Sequence, residues 1–255
     1  MLSILITHYN RSEALQQCVT AAHNVSWPMP YEVVVSDDGS NRQHVNAIKQ
    51  IPKIKLVLAE SNQGLAANIN KGIQACTGTY LLYCQEDFLI KKEIECILPE
   101  LFSLLDNKSL DMIRLRANYQ FPKLNALEKH VYSIPKFSFK NFYYNAFQYS
   151  DNLFMTTPDF FIKNKLYLEH TSGDYGETEY AIRIFKSDSK IGITQPYYSQ
   201  DVEGSISTMR ETRQNKQLPE FAKKIKKFAR AVRLHFEWLM YNPEKRKLLT
   251  YKNRR

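Results

Sequence analysis

Glu32-Val33-Val34-Val35-Ser36-Asp37-Asp38-Gly39-Ser40 decides the architecture of this chain. Three consecutive valines leave no polar face, so the run reads as a strand buried on both sides, as parallel sheets require. Asp-Asp-Gly-Ser ends it with turn-forming residues. The same unit recurs on either side. Upstream, Leu2 to Thr7 is an apolar, β-branched run that leads into His8-Tyr9-Asn10. Between the two, Ser12 can cap a helix with the face Leu15, Val19 and Ala22. Downstream, Val45 and Ile48 mark a short helix and Ile54 to Ala59 a third strand. Leu65, Ile69, Ile73 and Cys76 fall at helical spacing, and Thr77-Gly78 stops that helix. Tyr80 to Cys84 is a fourth strand, ended by Gln85-Glu86-Asp87. Four strand–helix units predict an α/β fold with a doubly wound, mainly parallel sheet and right-handed crossovers.

Ligands bind beyond the carboxyl ends of the strands in such a sheet. Thr7-His8-Tyr9-Asn10, Asp37-Asp38 and Glu86-Asp87 all stand at those ends. The pattern changes after about residue 110. Asp111 to Ala117 reads as one more strand, and residues 119–167 are dense in Phe and Tyr without a helical period. That second half is expected to be irregular or antiparallel. Its aromatics are core packing on the plainer reading, and a platform for a carbohydrate or apolar acceptor on the other. Glu177 to Lys186 reads as a helix with Tyr180, Ile182 and Phe185 inward.

Composition narrows the class. The 255 residues are 44% hydrophobic, which excludes a disordered chain. Apolar runs are far shorter than the ~20 residues a bilayer span needs. Cys18, Cys76, Cys84 and Cys96 show no Cys-x-x-Cys spacing and read as reduced thiols of a cytosolic protein. Met1-Leu2-Ser3-Ile4-Leu5-Ile6 lacks the basic segment of a signal peptide. The net charge of +9 is concentrated at one end: residues 210–255 hold 15 Lys and Arg against 4 acids. The remainder holds 20 basic and 22 acidic residues, a nearly neutral globule, which argues against a nucleic-acid-binding core.

The motifs exclude two nucleotide chemistries. No Gly-x-Gly-x-x-Gly follows the first strand, and the bulky Thr-His-Tyr-Asn turn keeps a backbone from approaching a pyrophosphate, which argues against a dinucleotide site. No Gly-x-x-x-x-Gly-Lys-Ser/Thr loop is present either. Asp37 and Asp38 are capping and turn residues on one reading and acceptors for a base N–H on the other. Glu86-Asp87 is a solvated turn, or a pair of hard oxygen ligands for Mg2+ or Mn2+ that would also meet substrate phosphates.

Four segments together resemble the nucleotide-sugar-binding half of family 2 glycosyltransferases, which have the GT-A fold. They are Leu5 to Arg11, Val33 to Ser40, Ser61-Asn62-Gln63-Gly64-Leu65-Ala66-Ala67-Asn68, and Gly78 to Asp87. The resemblance covers the first ~90 residues and thins beyond residue 110. It implies that Thr7, Tyr9, Asn10 and Asp38 hold the nucleobase and ribose of a UDP-sugar, with Tyr9 stacking on the base. Asp37 would support the turn or the ribose. Gly64 and Asn68 would lie near ribose and phosphates, at a helix N-terminus whose dipole favours anions. Asp87 would contact Mn2+ or Mg2+, and Glu86 the donor sugar, the ribose or a metal-bound water. Ser172 to Arg183 resembles the family's second acidic motif. Glu177 would then be the general base of an inverting transfer, with Asp174 the alternative; a first-turn acid at a helix N-terminus is the plainer reading. Glu179 and Arg183 stand four apart and read as an ion pair.

The chain departs from the family pattern in places. Cys84 stands where many members carry Asp, and Glu86 where Asp is commoner. Many members place a His 20–30 residues after the base; none lies there, and Gln200, Asp201 or Glu203 would have to substitute. The division expected is a donor half in residues 1–110, an acceptor half of the same domain in 111–209, and a basic helical tail in 210–255. In the tail, Leu218, Phe221, Ile225, Phe228, Val232 and Leu239 recur at helical spacing among lysines and arginines. This amphipathic helix either docks on the globule with a solvated basic face or lies on the anionic inner face of the plasma membrane. The implied acceptor is a glycan or lipid-linked glycan, such as a bacterial polysaccharide or lipopolysaccharide precursor. Two rivals remain: a nucleotidyltransferase acting on a sugar phosphate, and a binding protein that kept the fold without activity.

Overall fold

In the computed structural model, residues 1–202 and 219–253 are described. The opening strands are β1 (Leu2–His8), β2 (Tyr31–Asp37), β3 (Lys55–Leu58) and β4 (Tyr80–Gln85). The helices between them are α1 (Ser12–His23), α2 (Arg42–Ile48) and α3 (Leu65–Ala75). All four strands pair in parallel in the order β3-β2-β1-β4. The third strand is shorter than the expected Ile54 to Ala59.

The sheet continues into the second half. After β5 (Phe88–Ile90) and α4 (Leu98–Asp106) come β6 (Met112–Arg114), β7 (Asn125–Ala126), β8 (Val131–Ser133), β9 (Phe154–Thr156), β10 (Ile191–Thr194) and β11 (Ser199–Asp201). One nine-stranded sheet runs β3-β2-β1-β4-β9-β6-β10-β8-β7. β9 is antiparallel to both β4 and β6, whereas β6 and β10 are parallel. The Asp111 to Ala117 run thus shrinks to three strand residues. The remaining helices are α5 (Pro158–Asn164), α6 (Gly173–Lys186) and α7 (Glu220–Met240). The whole is the mixed α/β arrangement of a GT-A fold.

Strand alternation divides the core into two layers. Leu2, Ile4 and Ile6 of β1 point to the α1 and α4 side, where they meet Leu15, Val19, Leu101 and Leu105. Leu5 points to the other side with Val34, Ile69, Tyr83 and Tyr180. All four β1 side chains are fully buried, and each such burial is worth roughly 1.5–3 kcal/mol. The aromatics of residues 119–167 serve mainly as core: Tyr149, Phe154, Phe160, Phe161 and Tyr167 are buried, and Tyr167 stacks on Tyr180 with centroids 4.1 Å apart.

A third cluster docks α7 on α6 through Tyr175, Ile182, Phe185, Leu234 and Tyr241. The apolar stripe read from the tail sequence is not the docking face. Phe221, Ile225, Phe228, Val232 and Leu239 are all exposed, whereas Ala231, Leu234 and Glu237 are buried. Leu218 lies outside the described residues. Glu179 and Arg183 form the expected ion pair at 2.6 Å, and the Tyr241 hydroxyl donates to Glu179. The four cysteines are free. Among the described residues no helix is long and apolar enough to cross a membrane.

Candidate active site

The carboxyl ends of β1, β2 and β4 meet where the chain order reverses, which is where such sheets bind ligands. His8 and Asp37 close the end of β1 against β2. His8 Nδ1 lies 2.7 Å from Asp37 Oδ1, and His8 Nε2 accepts the Arg11 N–H at 3.0 Å, which sets the tautomer. Asp37 also accepts from the Ser40 N–H at 3.0 Å and from the Ser40 hydroxyl. Burial alone would raise the Asp37 pKa; the hydrogen bonds from His8 and Ser40 outweigh it and hold the carboxyl below its ordinary value. Asp37 is therefore a turn-building group, fully enclosed.

Its neighbour faces the other way. Asp38 accepts the N–H groups of Gln63 and Gly64 at 2.9 and 3.0 Å, fixing the loop that starts α3. Burial raises its pKa, opposed by those two hydrogen bonds. Each oxygen keeps a lone pair for a ligand N–H. Gly39 has φ +70°, and a Cβ there would meet the Ser61 backbone carbon at 2.4 Å, so the turn admits only glycine. Gly64 has φ +91° and caps α3 without a side chain, leaving N–H groups of the first turn open to an anion.

The residues expected to touch a donor divide into two groups. Tyr9 stands 43% exposed beyond β1, available to a planar ring. Thr7 does not face solvent: it is buried, and its hydroxyl lies 3.1 Å from that of Tyr83, because alternation puts position 7 on the same covered face of the sheet as Leu5 and Tyr83. Asn68 is likewise turned inward. It accepts from the Ser36 hydroxyl at 2.7 Å and donates to the His8 carbonyl, so it ties α3 to the sheet rather than reaching phosphates. Asn10 sits at φ +54° and accepts the Asn41 N–H at 2.8 Å, which makes it a turn residue of a type that tolerates this conformation.

The acidic end of β4 is enclosed. Burial, with the adjacent Asp87 charge, pushes the Glu86 pKa up to about 7. Burial also raises that of Asp87, opposed by Arg11, whose Nη1 lies 3.6 Å from Asp87 Oδ2. Asp87 Oδ1 is buried without a hydrogen-bond partner. Among the described residues no three His, Cys, Asp or Glu side chains are grouped to hold a metal ion. Glu86 and Asp87 suit a hard cation that takes one or two protein oxygens and completes its shell with phosphate and water. β11 brings Gln200 and Asp201 alongside, and the Val202 N–H donates to the Asp87 carbonyl at 2.9 Å. Asp201 is held by Arg116 through two contacts of 2.7 and 3.0 Å. Glu203 lies outside the described residues.

α6 completes the cleft. Glu177 lines a pocket with Leu65 and Ala66 of α3, Thr171, Ser172, and Asp151. The N-termini of α3 and α6 thus converge on it, and neither has a side-chain cap. Asp151 is the residue sequence reasoning missed. It lies in an aromatic-rich loop with no motif around it, and only the fold brings it beside Glu177. Burial, then the Glu177 charge and a hydrogen bond to Glu177, drive its pKa well above the carboxylate range. Gln85 at the end of β4 donates to the Asp151 carbonyl at 3.1 Å, linking this pair to Glu86-Asp87. Asp174 stands in the first turn of the same helix, outside that pocket lining.

Comparison with known proteins agrees with this architecture. The model of the glycosyl transferase family 2 matches residues 3–171. A Haemophilus influenzae uncharacterized glycosyltransferase is 28% identical over 126 residues, 48% of either chain. The glycosyltransferase AglE of Haloferax volcanii is 29% identical over 91 residues, 34% of this chain and 30% of its own. The chain spans about half the length or less of these curated relatives. Among solved structures, S. aureus TarS 1-349 in complex with UDP-GlcNAc superposes with a TM-score of 0.63 at 16% identity, covering 92% of this chain and 72% of that one. The mannosyltransferase PcManGT from Pyrobaculum calidifontis, in complex with GDP-Man and Mn2+, gives 0.54 at 14% identity over 76% and 54%. With a family match across residues 3–171 on a GT-A sheet, the chain belongs to glycosyl transferase family 2.

Proposed function

We propose that the protein transfers a sugar from a UDP-sugar to a hydroxyl of a glycan or lipid-linked glycan, with inversion at the anomeric carbon. The observation that carries this reading is the meeting of Glu177, Asp151 and the open N-terminus of α3 in one pocket beside Glu86-Asp87. Residues 1–110 bind the donor. Tyr9 stacks on the base, Asp38 accepts a base or ribose hydrogen, and the α3 N-terminus at Gly64 faces the diphosphate. UDP is favoured among nucleotides because a TarS structure holds UDP-GlcNAc and another holds UDP.

Glu177 accepts the proton of the attacking hydroxyl. Asp151 shares the pocket with Glu177 and positions it. A positioned base is worth ~10²–10⁴-fold in rate, and the order that residues 111–209 impose on the acceptor adds to it. Asp87, with Glu86 beside it, would hold Mn2+ or Mg2+, as the Mn2+ in the PcManGT complex suggests by analogy. The ion would neutralise charge on the departing diphosphate. The protein would act in the cytoplasm on a bacterial surface-polysaccharide or lipopolysaccharide precursor.

A thermal-shift panel of UDP, GDP, dTDP, CMP and NAD, each with and without Mn2+, tests the donor site. A ligand at ~100 times its Kd stabilises by about 2.7 kcal/mol, roughly 5–10 °C for a chain of this size. A UDP shift that grows with Mn2+ is expected. No shift with any nucleotide would overturn the reading.

A further inference from the structure

α7 carries an apolar face directed away from the protein. Phe221, Ile225, Phe228, Val232, Phe236 and Leu239 follow one another by three or four residues, so they form a single stripe on the helix. They are 45–75% exposed. The residues that dock α7 lie on roughly the opposite side: Ala231, Leu234 and Glu237 are buried, and Trp238 stacks on Phe185 at 4.8 Å. The docking is specific. Buried Glu237 accepts the Leu249 N–H at 2.9 Å, Lys186 donates to the Trp238 and Leu239 carbonyls, and the Leu248 N–H donates to the Tyr175 hydroxyl. The orientation of the stripe is thus fixed by contacts on the other face. Phe139 adds a further exposed aromatic: it is 86% exposed and packs edge-on against Phe137, which lies 6.0 Å from His235 and 6.3 Å from Trp238.

Charge selects the occupant. α7 carries Lys223, Lys224, Lys226, Lys227, Arg230 and Arg233 against two acids, Glu220 and the inward Glu237. At 100° per residue, Lys224 borders the stripe on one side and Lys226 on the other, whereas Lys227, Arg230 and Arg233 turn to the docked side, where they meet the Tyr144 hydroxyl, the Phe147 ring and Thr250. Long basic side chains at the edges of an apolar face can bury their stems and keep their charges at a polar surface. A second copy of the helix would bring its own flanking lysines against Lys224 and Lys226. The six large side chains span about 27 Å along the axis, so the helix would lie flat rather than cross. We infer that α7 seats the protein on an anionic lipid surface, its aromatic stripe in the headgroup boundary and the flanking Lys224 and Lys226 on the acidic headgroups. This inference does not rest on the sugar-transfer reading.

Flotation of the full chain with vesicles tests it. One set is neutral phosphatidylcholine, the other contains about a third phosphatidylglycerol. The wild type is expected to float with the anionic set, at least tenfold more weakly with the neutral set, and to be released by high salt. The double variant Ile225→Glu, Phe228→Glu should stay in solution. Because both side chains are exposed, its thermal unfolding should match the wild type, and Lys224→Glu, Lys226→Glu should weaken flotation without touching the stripe. Failure to float with anionic vesicles would overturn the inference, as would equal flotation of the Ile225→Glu, Phe228→Glu variant. A dimer in size exclusion that the same double variant dissociates, without vesicle binding, would assign the stripe to a second copy.

Discussion

Arg11 and Asp87 face each other across the mouth of the sheet, with Arg11 Nη1 3.6 Å from one Asp87 oxygen while the other oxygen is buried without a partner. One side of the carboxylate is thus partly neutralised and the other is unpaired. Asp87 would hold a divalent cation through that unpartnered oxygen, and the cation would supply charge neutralisation for a diphosphate. Asp87→Ala is expected to remove the Mn2+-dependent part of UDP affinity and leave the metal-free part. Calorimetric titration with and without Mn2+ measures both, and an unchanged Mn2+ enhancement would exclude Asp87 as the ligand.

Glu86 makes stability depend on pH. Its carboxyl titrates at about 7 in the fold, because of burial and then Asp87, and near 4.3 in an unfolded chain. Between those values the folded state holds a proton the unfolded state lacks. Its contribution is therefore complete below about pH 4 and is lost as the pH rises through 7. Without nucleotide and metal, the wild-type Tm should fall between about pH 4.5 and 7.5 more steeply than that of Glu86→Gln. Parallel curves would contradict the burial argument.

Asp38 holds the loop before α3 through two backbone N–H groups. Asp38→Ala leaves both without a partner, at a cost of about 1–3 kcal/mol. A drop of roughly 3–10 °C in Tm should accompany weaker UDP binding. Retained Tm with lost binding would mean that Asp38 contacts ligand alone.

Glu179 is the hub of the α6–α7 junction. It pairs with Arg183 at 2.6 Å, accepts from Tyr241, and has Arg246 at 3.8 Å, all with no exposure of its own. Removing one partner of a buried pair costs about 3–5 kcal/mol. Glu179→Ala should lower the urea midpoint accordingly and make the tail a target for limited proteolysis. A change under 1 kcal/mol would show the hub to be dispensable.

The parallel half was legible in the sequence because each strand is a continuous apolar run with polar punctuation, and position along the chain then implies position in the sheet. Asp37-Asp38 and Glu86-Asp87 could be placed at strand ends for the same reason. Which way each side chain points was harder to read. Thr7 and Asn68 turned inward because strand alternation and α3 packing oriented them toward Tyr83 and Ser36. Asp151 carries no local signal, since its partner Glu177 is distant in sequence. The tail shows the limit of periodicity: it marked the apolar stripe of α7, while the docking depends on Glu237 and on the 248–250 backbone, which no hydrophobic pattern reveals.

The most direct test is UDP release from UDP-sugars by wild type and Glu177→Gln, with UDP binding measured on the same samples. A Gln keeps the size and removes the proton acceptor. The account predicts that UDP affinity stays within about threefold while release falls ~10²–10⁴-fold, with Asp174→Asn close to wild type. Equal release by Glu177→Gln and wild type would contradict the assignment of the base, and UDP binding without any release by the wild type would contradict the transferase itself.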